Sequence, residues 1–183
     1  YITGNTQDQC VGPSVTEGQL RWACRSGEET QLKIYEGIQS YEDVVVQVQT
    51  ENYASNTNWV VLMCRVNDQG WIEFRFTCGG LYEIYRFDRG LRNQGKNPYV
   101  YIANGVTAFT KPGKTNNTVA MVCSGDNFEY YANGNRIELV VPPQRREEYA
   151  IQGAGGVGIG FIVMGDNPGP VDVGIEWFET FEP

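Results

Sequence analysis

Residues 59–88 read WVVLMCRVNDQGWIEFRFTCGGLYEIYRFD, and this stretch decides the fold class. Apolar residues occupy every second position in 60–64 and in 72–76, on either side of a polar break, and a third run follows Gly79-Gly80. A period of two that is interrupted by glycine is typical of an antiparallel meander with one face in a core. The stretch therefore predicts three consecutive strands.

Strand patterns recur along the rest of the sequence, whereas no segment has the spacing of an amphipathic helix. Asn133-Gly134 is the strongest hairpin signal, because both central residues of such a turn need positive φ. This density of short strands predicts an all-β domain with two sheets or a closed barrel. The predicted strands cover residues 19–25, 31–36, 41–50, 58–66, 71–78, 81–87, 106–110, 117–124, 127–132, 136–141, 156–164 and 171–181.

The chain length of 183 residues fits one domain of ordinary size. Residues 1–18 lack clean alternation and are expected to form an N-terminal arm or extended segment, whereas residues 19–183 form the β domain. Two polar segments that contain glycine, 88–98 and 142–156, are predicted to be surface loops.

The charge balance disfavours two classes of partner. With 14 Lys and Arg against 22 Asp and Glu, the net charge of −8 repels nucleic acid and anionic lipid surfaces. The longest apolar runs, 44–48 and 156–164, have the length of strands, so we expect no membrane insertion.

Cysteine usage favours an oxidising compartment. The chain has five cysteines, no CxxC pair and no histidine, which makes a zinc site unfavourable. Two disulfides and one remaining thiol are expected. Because the sequence starts at Tyr1 without a leader, we expect either a processed secreted protein or a piece of a longer precursor, located outside the cell or at its surface.

Seven motifs follow one another in a characteristic order. They are LMCR (62–65), WIEFRF (71–76), GLYEIYRF (80–87), VAMVC (119–123), FEYYANG (128–134), GGVGIG (155–160) and VGIEWF (173–178). Their order resembles the concanavalin A-like lectin/glucanase superfamily, in particular bacterial surface modules related to the laminin-G-like and 3-keto-disaccharide hydrolase groups. The resemblance covers about residues 19–181. It implies a jelly-roll sandwich of two curved antiparallel sheets, whose concave face often binds sugars.

The same resemblance suggests the disulfide pairing. In similar exported modules, cysteines at the positions of Cys64 and Cys123 lie on neighbouring core strands, which implies a disulfide between them. Cys10 and Cys24 flank a short loop, and closing about fifteen residues contributes about 3 kcal/mol in the chain-entropy model. Cys78 shares a predicted face with Phe74 and is expected to be a buried, inert thiol.

Catalysis is disfavoured by the residue types present. Without histidine, only carboxylate, lysine or tyrosine chemistry remains. Family-16 glycoside hydrolases, which share the superfamily fold, carry their acids on one strand as Glu-x-Asp-x(-x)-Glu. The nearest sequence is Trp71–Arg75, in which an arginine stands at the second acidic position. We therefore expect Glu73 and Arg75 to form an ion pair and the protein not to be an enzyme.

A ligand-binding face is predicted from strand register. Pairing Cys64 with Ile72, and Cys78 with Leu81, places aromatic and charged side chains together on the face away from the core. Aromatic planes cover the apolar faces of sugar rings, and charged groups hydrogen-bond their hydroxyls. The predicted ligand-binding residues are Arg65, Trp71, Glu73, Arg75, Tyr82 and Arg86.

Three alternatives remain open at this point. Trp71 and its neighbours could instead be packed beneath residues 88–98. The tyrosines and the apolar runs could be covered by neighbouring subunits in a filament, surface layer or homo-oligomer. No cofactor is expected, although Asp166–Gly169 and Asp126-Asn127 offer oxygen ligands of the kind that calcium uses. Glycan binding is the leading function, assembly through protein contacts is the second, and glycoside chemistry is the third.

Overall fold

The computed structural model describes residues 2–3, 10–24, 30–54, 58–139, 151, 153–163 and 170–183, and the side chains of these residues except 2–3, 30, 32 and 35–38. Two antiparallel seven-stranded sheets pack face to face, as the strand patterns predicted. Sheet A has the order β1-β4-β13-β6-β7-β8-β9, and sheet B has the order β12-β11-β10-β5-β14-β3-β2. The strands are β1 Ile2–Thr3, β2 Cys10–Thr16, β3 Gln19–Cys24, β4 Thr30–Tyr41, β5 Val44–Asn52, β6 Asn58–Val66, β7 Gly70–Phe76, β8 Leu81–Asp88, β9 Tyr99–Val106, β10 Asn116–Ser124, β11 Asn127–Ala132, β12 Asn135–Arg136, β13 Gly155–Val163 and β14 Val171–Phe181.

The core lies between the two sheets, and pairs of aromatic rings connect one sheet to the other. The rings of Trp22 in sheet B and Phe161 in sheet A are 5.3 Å apart. Those of Phe74 in sheet A and Tyr130 in sheet B are 4.8 Å apart. All four side chains are fully buried. Because side chains alternate between the two faces of a strand, every second residue of each sheet points into this layer.

The predicted register of the first hairpin is confirmed. Cys64 lies opposite Ile72, and Leu62 lies opposite Phe74. Both pairs belong to the core between the sheets. Residues of β7 at odd positions therefore point to the outer face of sheet A.

The predicted register of the second hairpin is wrong by one residue. Phe76 lies opposite Tyr82, whereas the prediction paired Cys78 with Leu81. The turn contains Cys78 as well as the two glycines, because Gly80 adopts a φ of +93° and its N–H bonds back to the Thr77 carbonyl. This shift turns the even-numbered residues of β8 toward the core.

Several strands differ from their predicted bounds. Strand β9 covers 99–106, where the sequence predicted a strand at 106–110. Within the predicted loop 88–98, residues Arg89–Asn93 form the short helix α1, capped by the Asp88 carboxylate, which accepts from the Leu91 N–H. The segment 1–18, expected as an N-terminal arm or extended segment, contributes β1 and β2 to the sheets. Among the described residues, no helix has the length and apolarity needed to cross a membrane.

The expected disulfides are both present. Cys64–Cys123 connects β6 of sheet A to β10 of sheet B, so these cysteines lie on facing sheets and not on neighbouring strands. Cys10–Cys24 joins the paired strands β2 and β3. Cys78 is buried and belongs to neither disulfide, and burial raises the pKa of its thiol.

Candidate functional site

The outer face of sheet A carries a compact group of charged and aromatic side chains. Register places Trp71, Glu73 and Arg75 of β7 on this face, as predicted. Tyr85 of β8 lies opposite Glu73 and opposite Tyr101 of β9. The full group is Lys33, Trp71, Glu73, Arg75, Tyr85, Phe87, Tyr99 and Tyr101.

Two of the predicted site residues, Tyr82 and Arg86, point to the inner side of sheet A and not to its outer face. Because β8 is shifted by one residue, Tyr82 packs in the core between the sheets and is 7% exposed. Arg86 lies opposite Ile72 on the same inner side, where one of its terminal nitrogens donates to Asp88. The prediction that these residues join the binding face is wrong.

Arg65 also lies away from this face. A β-bulge in the pairing of β6 with β13 gives it a φ of +52°. Its guanidinium donates to the carbonyls of Ile151 and Gly125 and lies 5.1 Å from the Phe128 ring centroid. Arg65 therefore ties sheet A to the β10–β11 turn of sheet B at one end of the sandwich.

Glu73 is the centre of the group on the outer face. Its side chain has no exposed surface, and it accepts hydrogen bonds from Lys33 Nζ at 2.8 Å, Trp71 Nε1 at 2.8 Å and Arg75 Nε at 2.6 Å. Burial alone would raise the pKa of Glu73, but the two cations outweigh burial and hold it below its ordinary value. Glu73 is therefore a buried carboxylate anion.

Lys33 reaches Glu73 from a distant strand because two glycines leave space. Gly158 and Gly160 of β13 present no side chain on the outer face, and Gly160 lies between Lys33 and Val61 in the register. The lysine stem crosses this gap, and its ammonium also donates to the Tyr99 hydroxyl at 2.8 Å. Lys33 is 3% exposed, so the whole side chain is covered.

Arg75 is held between two tyrosines. Its guanidinium carbon lies 4.5 Å from the ring centroid of Tyr85 and 4.8 Å from that of Tyr99. Tyr101 packs edge-on against Tyr85 with the ring centroids 5.9 Å apart. Burial lowers the pKa of Arg75, but Glu73 outweighs burial and the pKa is raised. The arginine is thus a fixed cation flanked by half-buried aromatic rings.

Trp71 is covered, so the prediction that it shares an accessible binding face with Tyr82 is wrong. Its side chain is 5% exposed and stacks on Phe87, with ring centroids 3.8 Å apart and planes 4° apart. Arg89 of α1 lies 5.9 Å from the Trp71 ring centroid. Together with Trp59, Val61, Met63 and Ile162 these rings form a second, smaller apolar cluster outside the main core. The open alternative, in which Trp71 packs beneath residues 88–98, describes this arrangement.

The charges of Lys33, Glu73 and Arg75 do not cancel among themselves, while Glu83 lies opposite Arg75 on the same face and is hydrogen-bonded to Tyr85. Two buried cations, Lys33 and Arg75, share one carboxylate, Glu73, and their side chains are only 4% and 13% exposed. We call these three residues the cationic cluster. A buried cation in excess is stabilised by an anion, and a fixed guanidinium offers paired N–H groups to a carboxylate. Chemically, the cluster is suited to receive an anionic group and not to transfer a proton.

Sequence reasoning missed five members of the group, Lys33, Tyr85, Phe87, Tyr99 and Tyr101. The two last residues lie on β9, a strand that the pattern did not predict. Lys33 lay in a predicted strand, but nothing in its local sequence indicates contact with β7. The alternation Gly156, Gly158, Gly160 was the available signal that a neighbour crosses β13.

Metal binding finds no support in the described part of the chain, where no group of three potential ligand residues occurs. Asp126 lies in the β10–β11 turn, and Asp166–Gly169 lies outside the described residues. The expectation of no cofactor, with calcium as the open alternative, therefore stays a prediction.

Similarity to solved structures is confined to the fold. A carbohydrate-binding module, CBM66 of Bacillus subtilis, is 11% identical, with 96% of each chain covered and a TM-score of 0.58. The catalytic domain of an endo-1,3-β-glucanase (laminarinase) of Thermotoga petrophila RKU-1 is 11% identical, with 97% of this chain and 81% of that chain covered and a TM-score of 0.63. A Bacillus subtilis protein of unknown function with a galectin-like fold is 9% identical, with 100% and 88% covered and a TM-score of 0.65.

No family model and no curated protein sequence matches the chain. The structural matches show the fold alone, a jelly-roll sandwich of two antiparallel sheets, which is the fold that the motif order implied.

Proposed function

We propose that the protein is a non-catalytic, extracellular carbohydrate-binding module whose outer face of sheet A binds a glycan that carries carboxylate groups. The observation that carries the proposal is the excess cation of the cationic cluster, fixed beneath Tyr85, Tyr99 and Tyr101. Similarity in fold to a carbohydrate-binding module and to a laminarinase supports a saccharide ligand.

The chemistry of a uronic acid fits this arrangement. The sugar carboxylate would accept from the terminal nitrogens of Arg75, whose Nε is already bonded to Glu73. Half-buried tyrosine rings offer surfaces for the apolar faces of pyranose rings and hydroxyls for hydrogen bonds. Because the guanidinium is already fixed between two rings, little side-chain entropy is lost on binding.

Hydrolysis is not part of the proposal. Glu73 is an ion-paired anion without exposed surface, so it has no proton to donate to a leaving group and no path to a sugar ring. Two disulfides support a location outside the cell, because such bonds persist in oxidising compartments.

A glycan array that pairs each polyuronate with its carboxyl-reduced counterpart tests the function. We expect binding to the uronate forms, weakening as salt rises, and little binding to the reduced forms. Equal binding to both members of each pair would contradict the role of the cationic cluster. Absence of binding to every glycan would contradict carbohydrate recognition.

Assembly through protein contacts is the second candidate, and one observation favours it. Strand β9 is an edge of sheet A and carries no charged residue. Val106 at the end of β9 is 72% exposed, and its neighbours Leu81 and Phe109 are 49% and 43% exposed. Uncharged edges with exposed apolar neighbours can pair with another copy. Sedimentation at micromolar concentration checks this, and a mass of 20.5 kDa throughout would exclude self-assembly in that range.

A further inference from the structure

The outer face of sheet B carries a second polar surface, which the proposed function does not use. A β-bulge in the pairing of β14 with β5 falls between Ile175 and Trp177. The extra residue turns both Glu176 and Trp177 to the outer side, where Gln19 and Gln49 of the flanking strands meet them. Bulges of this kind redirect side chains, and here the bulge places a carboxylate beside an indole.

Amide groups hold Glu176 in place. Its carboxylate accepts from Asn116 at 3.0 Å, from Gln19 at 3.5 Å and from Gln49 Nε2. Gln49 in turn accepts from the Trp177 indole N–H at 2.8 Å. The indole and the carboxylate are therefore fixed relative to each other through one glutamine, although all these side chains are half-exposed.

A second carboxylate joins the same network. Glu51 accepts from Gln19 Nε2 at 3.2 Å and from the Tyr53 hydroxyl. Burial and the bond to Glu51 raise the pKa of Tyr53, which therefore stays a donor at neutral pH. Gly174 leaves room for the Gln19 side chain, because a Cβ at this position would lie 2.7 Å from Gln19 Oε1.

The network is negatively charged. Its one cation, Arg21, forms a bidentate pair with Asp172 at 2.8 and 2.7 Å and stacks on Tyr53. No cation of the described residues bonds to Glu51 or Glu176. An acidic ligand would be repelled here, whereas hydroxyl groups can donate to the carboxylates and accept from the amides.

We infer that the outer face of sheet B is a separate binding site for a neutral polyhydroxyl ligand, a glycan without charged groups. Trp177 supplies the stacking surface, and Glu51, Glu176 and the three amides bond the hydroxyls. A separate depression of about 610 Å³ lies beside this network on the same face, and its lining includes Gln47, Lys111, Tyr131 and Phe181. The network is ordered before binding, which limits the entropy lost when a ligand docks.

With a carboxylate-binding face on sheet A and this face on sheet B, one domain would hold two chemically different glycans on its two sides. The sheet B site does not depend on the function proposed for sheet A. The tryptophan indoles separate the two experimentally, because Trp71 reports on sheet A and Trp177 on sheet B.

Titration of the ¹⁵N-labelled protein with laminarihexaose and cellohexaose tests the inference. We expect at least one of these neutral hexasaccharides to shift the indole signal of Trp177 and the side-chain amide signals of Gln19, Gln49 and Asn116, without shifting the Trp71 indole. Glu176→Gln should weaken this binding about tenfold or more, because a charged acceptor is lost. Glu138→Gln, which changes an exposed glutamate outside the network, should leave it unchanged.

Gly174→Ala is a second variant, chosen because it displaces Gln19 without removing a polar group. It should also weaken binding. Three results would overturn the inference: no shift of the four signals at millimolar hexasaccharide, a shift of the Trp71 indole alone, or unchanged affinity in both Glu176→Gln and Gly174→Ala.

Discussion

Lys33 Nζ lies 2.8 Å from Glu73 Oε2, although the two residues belong to strands β4 and β7, which are separated by two other strands of sheet A. This contact and the Arg75–Glu73 pair make Glu73 an internal anion shared by two cations, of which Arg75 has the more exposed side chain, 13% against 4%. The contact between Lys33 and Glu73 therefore stabilises sheet A, and it adds a second cation to the carboxylate that Arg75 already binds on the outer face.

Replacing Glu73 should be severely destabilising. Glu73→Gln leaves Lys33 and Arg75 without a counter-ion in a buried site, and removal of one partner from a buried ion pair costs about 3 to 5 kcal/mol. Chemical denaturation measures the loss. The exposed Glu138→Gln serves as the matched control and should stay within about 0.5 kcal/mol of the original protein.

Acid should destabilise the fold through the same residue. The pKa of Glu73 is lowered in the folded protein, whereas the pKa of a glutamate in the unfolded chain is about 4.3. Stability from Glu73 is therefore complete above about pH 4.3 and is lost as the pH falls through the lower folded pKa. Unfolding free energies measured from pH 7 to pH 2 should fall less steeply in Glu73→Gln, and parallel curves for the two proteins would contradict the assignment.

Trp71 should behave as a core residue. Trp71→Ala removes a stacked, buried ring and should cost about 3 to 5 kcal/mol. Trp71→Phe keeps an aromatic partner for Phe87 but loses the N–H bond to Glu73, so its loss should be smaller. Denaturant unfolding compares the two variants, and a loss below about 1 kcal/mol for Trp71→Ala would mean that the ring is exposed.

The inter-sheet disulfide should contribute more than the hairpin disulfide. Cys64–Cys123 spans 59 residues and Cys10–Cys24 spans 14, and the chain-entropy model gives the longer loop the larger effect, within about 2 to 5 kcal/mol. Double serine variants of each pair, compared by denaturation, measure the difference. A larger loss for the hairpin pair would contradict this ranking.

Glycosidase activity should be absent from the outer face of sheet A. Glu73 has both carboxylate oxygens engaged, so a reducing-sugar assay should give the same background for the original protein and Glu73→Gln. Turnover that is lost in Glu73→Gln would overturn the non-catalytic assignment. Turnover lost instead in Glu51→Gln or Glu176→Gln would locate catalysis on sheet B, where Gln19 bonds to both carboxylates.

The hydrophobic pattern of the sequence predicted the fold and the part of the site that lies on β7. Alternation in β6 and β7 predicted that Glu73 and Arg75 share a face, because register follows from the hydrophobic pattern. The same reasoning failed one hairpin later, because the positive φ of Gly80 adds a residue to the turn. A slip of one residue moved Tyr82 from the outer face to the core.

Other parts of the site depended on long-range order that no local pattern contains. Lys33 is 40 residues from Glu73 in sequence, and their contact requires β13 to insert between β4 and β6. Glu51 and Glu176 are likewise brought together by the order of sheet B and by a bulge. Arg89 of α1 lies 5.9 Å from the Trp71 ring centroid, and the five residues of this helix are too few for a helical pattern in the sequence.

Isothermal titration of a hexauronate into the protein and into Arg75 variants tests the central claim most directly. Arg75→Gln removes the cation and should weaken binding about 10- to 100-fold, the worth of hydrogen bonds to a charged group. Arg75→Lys keeps the charge beside Glu73 but loses the planar pair of donors. Its affinity for the hexauronate should therefore lie between those of the original protein and Arg75→Gln. Arg136→Gln, at an arginine whose side chain is 52% exposed, is the control and should bind like the original protein. Equal affinity for the hexauronate in all four proteins would contradict the account.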